Sequence, residues 1–87
     1  MIVYKYQLQV TDKQTVIMPS DRKILSVQVQ GGIPCLWAMV DPDSEDETVG
    51  IITIGTGHPA PDGVDEFIDT YQLNDGALVF HVFGCVK

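Results

Sequence analysis

Two histidines, His58 and His81, and the turn Gly55-Thr56-Gly57 are the residues of this 87-residue chain whose types and spacing could do chemistry. An apolar run, Ile51 to Ile54, leads straight into Gly-Thr-Gly-His and then Pro-Ala-Pro. A glycine loop of this kind can cradle a phosphate by aiming successive backbone N–H groups at it, usually with a helix N-terminus behind them. Here Pro59 and Pro61 remove two of those donors and no helical pattern follows. The Walker pattern requires Lys-Ser/Thr after its second glycine, and the dinucleotide fingerprint requires a third glycine opening a helix. Both are missing, and a nucleotidyl-transfer histidine signature fails for want of the same helix. What is left is a short turn between Ile54 and His58, read as an exit from a strand or as a small anion-binding nest.

His81 alternates with Val79 and Phe83, so it belongs to a strand face. No third ligand with metal spacing accompanies the two histidines, and no metal site is expected. The acidic stretch Asp41 to Glu47 begins like a calcium loop, with Asp41, Asp43 and Glu45 in alternation. It then places Asp46 where the loop needs glycine and Ile52 where it needs the bidentate glutamate. It reads as a solvated turn whose Asp43, Glu45, Asp46 and Glu47 could meet a basic partner surface. Ser20, Ser26 and Ser44 have no neighbouring histidine. The carboxylates cluster only in the acidic turn, where no desolvation would shift a pKa. The expectation is a protein without catalysis and without a cofactor.

Charge divides the chain. Residues 1–40 carry Lys5, Lys13, Arg22 and Lys23 against Asp12 and Asp21, whereas residues 41–76 carry ten acids and no base, within a net charge of −7. Such a surface repels phosphate backbones, which argues against direct nucleic-acid binding. No apolar run approaches the ~20 residues of a membrane span. The alternating start MIVYKYQLQV is unlike a signal peptide, so a cytoplasmic location is expected. Cys35 and Cys85 lie in apolar strand contexts and are expected as buried free thiols.

The elements that must position these residues have a hydrophobic period of two almost throughout. Tyr4, Tyr6, Leu8 and Val10 alternate with Lys5, Gln7 and Gln9. Thr15 to Met18 forms a second strand, ended by Pro19-Ser20-Asp21. Leu25, Val27 and Val29 alternate with polar residues in a third. Gly31-Gly32 predicts a tight hairpin into a fourth strand, Cys35 to Val40, apolar on both faces. That double apolarity, with Trp37, Tyr4 and Tyr6, predicts a homo-oligomer that supplies further cover. Val49 to Ile54, Phe67 to Leu73 (with Phe67, Tyr71 and Leu73 on one side) and Ala77 to Val86 complete the set, the last two joined through Asn74-Asp75-Gly76. Residues 62–69 allow one helical turn at most. The expectation is an all-β chain, one domain over residues 1–87, built as a small antiparallel sandwich or barrel of about seven short strands.

Leu36 to Pro42 (LWAMVDP), Gly55 to Pro59 (GTGHP) and Val79 to Phe83 (VFHVF), with the Tyr-rich first strand, resemble a family of small phage- and prophage-encoded proteins of unknown function. The resemblance spans nearly the whole chain and implies a phage origin, with no assigned activity. By analogy of context, such accessory proteins attach to a host component and antagonise a defence or a host enzyme. One version blocks a host protein through a sheet face or edge and the acidic residues at 43–47. The other sequesters a small nucleotide-like signal between protomers with Gly55, Thr56, Gly57, His58 and His81, and needs Lys5, Lys13, Arg22 and Lys23 to gather there. The alternative is a structural or assembly module of the virion.

Overall fold

In the computed structural model, which describes residues 1–85, seven antiparallel strands form two sheets, and no helix occurs among the described residues. The strands are β1 (Ile2–Gln7), β2 (Lys13–Pro19), β3 (Arg22–Gln30), β4 (Ile33–Val40), β5 (Asp46–Gly55), β6 (Val64–Leu73) and β7 (Leu78–Cys85). One sheet has the order β1-β4-β3 and the other β2-β5-β7-β6. Of the sandwich or barrel expected from the pattern, the sandwich is the fold. The expected end of the last strand, Val86, lies outside the described residues.

Local chemistry fixes the two tightest hairpins. Gly31 and Gly32 both take positive φ, 59° and 81°, the left-handed pair that lets a two-residue turn follow the strand twist. Asn74 and Asp75 do the same at 52° and 54°, and Ala77 N–H closes the turn on Asn74 O at 3.0 Å. Between the sheets lies one cluster, including Met18, Val27, Leu36, Ala38, Val40, Ile51, Tyr71 and Val82. β4 is central in its sheet, which explains its two apolar faces: Leu36, Ala38 and Val40 point into the cluster, while Cys35 is buried and Trp37 and Met39 are half-buried on the other side.

Where the period-two reading misplaced residues, bulges and edges are the reason. In β3 the register slips between Ile24 and Ser26, so Leu25 is the extra residue and is exposed, while Ile24 takes the inward place. In β6 the register slips on both sides of Phe67, which leaves Phe67 exposed against Phe83 while Tyr71 and Leu73 face the core. β6 also starts earlier than expected, at Val64, in place of the helical turn the sequence allowed. β1 ends at Gln7, so Leu8 is buried beyond it and Val10 is exposed. Pro19 sits inside β2, which is tolerated because β2 is an edge. Cys35 is buried as expected, whereas Cys85 is only half-buried.

Candidate functional site

At its C-terminal end β5 sets Ile54 opposite His81 of β7, and His81 in turn lies opposite Thr70 of β6. The imidazole is therefore held between two hydroxyls: Nδ1 is 3.1 Å from Thr70 Oγ1 and Nε2 is 2.7 Å from Thr56 Oγ1. A neutral imidazole has one donor and one acceptor nitrogen, and both are engaged. Thr56 N–H donates to Val79 O at 3.1 Å, so His81 and the β7 backbone together pin the start of the Gly55–His58 turn.

Pinned in this way, the turn doubles back. His58 N–H donates to Gly55 O at 3.0 Å, and Gly57 takes a φ of 88°. The His58 ring lies over Gly55 so closely that a Cβ there would sit 3.1 Å from His58 Cδ2 and 3.8 Å from Phe80 Cε1. A side chain at Gly55 would push the exposed His58 ring by a few tenths of an ångström, whereas the backbone angle there makes no demand for glycine. Of the four turn residues, Gly55 and His58 face a cleft; Thr56 turns to His81 on the opposite side of the ladder.

The cleft has a volume of about 670 Å³. Its floor is Thr53, Gly55 and Phe80, one wall is Thr11 to Lys13, and the other is His58 with Pro59 to Pro61. Asp12 O accepts the N–H of Thr53 at 2.9 Å, which ties the β1–β2 turn to the floor. Gln14 braces that turn, accepting from Gln9 N at 3.0 Å and donating to Gln9 O at 2.8 Å. Thr53 is 5% exposed, and its hydroxyl has no hydrogen-bond partner. Leaving a buried hydroxyl unpaired costs about 1–3 kcal/mol, so a threonine where valine would fit is a feature that needs a reason. Lys13, Asp12 and His58 are exposed, and their side chains make no hydrogen bond or ion pair among the described residues.

The sequence singled out four bases, and the structure brings one of them here. Lys13 lines the cleft; Lys5 donates to Gln30 Oε1 at 2.8 Å on the other sheet, Lys23 sits opposite Met39, and Arg22 pairs with Glu47 at 2.6 Å. The acidic residues do not join the site either. Asp46 and Glu47 are not loop residues but the first two of β5, registered against Pro19 and Met18 of β2. Gly55 lies nine residues further along the strand from Asp46, at about 3.3 Å each. Asp43 and Glu45 remain in the exposed turn, which Ser44 braces by donating to Asp41 O at 2.7 Å.

Among the described residues no group of three or more His, Cys, Asp or Glu could hold a metal, and no helix is long and apolar enough to cross a membrane. A second buried oxygen without a partner, the phenol of Tyr71, lies in the core beside Phe80 at a ring separation of 5.4 Å, and burial raises its pKa above the ordinary value. Sequence reasoning missed Thr11, Asp12, Thr53 and Phe80 as site residues. The available signal was the lone hydroxyl in Ile51-Ile52-Thr53-Ile54.

No curated protein and no solved structure matches the chain. The family model of a domain of unknown function, DUF7352, matches residues 1–86, and the chain belongs to that family.

Proposed function

We propose that this chain is a phage- or prophage-encoded, non-enzymatic binding protein that acts in the cytoplasm of a bacterial host. It holds a small nucleotide-like molecule in the cleft beside Gly55 and His58, and so withdraws a signal from a host defence or enzyme. The observation that carries this reading is the Thr53 hydroxyl, buried at the cleft floor without a partner.

The walls supply the complementary chemistry. Phe80 and the prolines 59 and 61 offer apolar contact to a base, the Asp12 carboxylate can accept from sugar hydroxyls, and Lys13 with His58 can meet a phosphate. Of the four bases that the sequestering version called for, Lys13 alone lines the cleft, so the ligand proposed carries one phosphate and not a polyphosphate. The volume lies within the usual range for small-molecule sites.

Native mass spectrometry of the protein purified from bacterial cells, followed by denaturation, tests the reading. Release of a small phosphorylated compound supports it. A ligand-free protein that carries a host polypeptide instead would replace it with the blocking mode.

A further inference from the structure

Four strands of the sandwich are edges, and three of them carry devices that prevent pairing with another chain. β2 contains Pro19, which has no N–H, and its start is bracketed by the Gln9–Gln14 bonds. In β3 the bulge at Leu25 breaks the line of the edge, and the N–H of Val27 is taken by Asp69 Oδ2 at 3.0 Å. β6 has two register irregularities and carries Asp65, Glu66 and Asp69.

β1 has none of these. All six residues pair with β4 in unbroken register, with no proline, bulge or carboxylate. Its one charged residue is directed away from the free edge: the Lys5 ammonium crosses β4 to donate to Gln30 Oε1 on β3 at 2.8 Å. Apolar side chains stay exposed on both faces of the strand, Ile2 at 49% and Tyr4 at 37% on one, Val3 at 52% on the other.

We infer that β1 pairs antiparallel with β1 of a second copy about a two-fold axis, joining the two three-stranded sheets into one of six strands. Charge argues for a second copy as the occupant. The chain carries −7, yet β1, β3 and β4 contain no carboxylate, so two copies approach through the part of the molecule that repels itself least. A pairing centred on Tyr4 also sets Lys5 opposite the partner's Val3 and keeps the two lysines off each other. Ile2, Tyr4 and Tyr6 of both copies then share one face.

The test is light scattering and native mass spectrometry of the full chain at micromolar concentration, with an Ile2→Lys, Val3→Lys variant alongside. Both substitutions fall on exposed side chains, so the variant should keep its fold, read from its circular dichroism, and its melting temperature should fall only by the stability the dimer supplied. The expected result is a dimer for the parent chain and loss of the dimer in the variant. Amide exchange of the parent chain gives an independent reading: protection of residues 2–7 should rise with protein concentration. A parent chain that stays monomeric, a dimer that survives both lysines, or β1 protection independent of concentration would overturn the inference.

Discussion

The two ends of β5 treat their polar groups in opposite ways. At the Asp46 end the bonded polar groups serve the fold, while Asp43, Glu45 and Asp46 extend into solvent. Glu47 pairs with Arg22, whose guanidinium also donates to Pro19 O, and Ser44 links Asp41 and Asp21. The hollow nearest that end, about 480 Å³ beside Arg22 and Glu66, has no buried polar side-chain atom left without a partner. At the Gly55 end a buried threonine hydroxyl has no partner, and an exposed lysine, aspartate and histidine gather around the cleft that it lines. A cluster of like charges is conspicuous in a sequence, but what marks a candidate site is polar capacity the fold does not use.

Binding should break the symmetry of the two ends most strongly. Lys13→Ala is expected to weaken nucleotide affinity by tenfold or more, measured by titration calorimetry. Neutralising Asp43, Glu45, Asp46 and Glu47 together should leave that affinity unchanged. Loss of function in the acidic variant, with a salt dependence, would move the site to the other end.

Next in size is Thr53→Val. It keeps the shape of the side chain and removes the orphan hydroxyl, so it should stabilise the domain by about 1 kcal/mol in denaturant unfolding while weakening ligand binding severalfold. Stability gained with affinity unchanged would show that the hydroxyl is a packing defect and not part of a site.

Tyr71 separates core from cleft by pH. The unfolded phenol titrates near 10.0, and burial raises the folded value. The folded state therefore holds its proton more tightly, so stability is unaffected below the unfolded value and falls as pH rises through the folded one. Tyr71→Phe should reduce that alkaline loss in melting curves and leave nucleotide affinity as it was. Smallest of all, Glu47→Gln should cost no more than about 1 kcal/mol, because its pair with Arg22 is partly exposed, at 49% and 23%.

Strand identity was legible where the signal is local. Gly31-Gly32 and Asn74-Asp75-Gly76 require left-handed backbone, and they marked the hairpins correctly. Leu25 and Phe67 were placed on the wrong face because a bulge is decided by the neighbouring strand, and period two carries no trace of it. Asp46 and Glu47 looked like loop because their composition is that of a turn, and only pairing with β2 makes them strand. The Gly55–His58 turn was visible, but the rest of the cleft was not. Lys13 and Thr53 are 40 positions apart, and their meeting depends on Asp12 O bonding Thr53 N across the β2–β5 ladder. His81 was singled out for its chemistry, and its position between Thr56 and Thr70 makes it the clamp that holds the turn.

The most direct test is a nuclear magnetic resonance titration of the labelled chain with adenosine and guanosine monophosphates. The account predicts saturable shifts confined to the amides of Thr11 to Lys13, Thr53 to Gly55, His58 and Phe80, with the amides of Asp43 to Glu47 unmoved. Absence of shifts up to millimolar nucleotide, or shifts centred on Asp43 to Glu47, would contradict it.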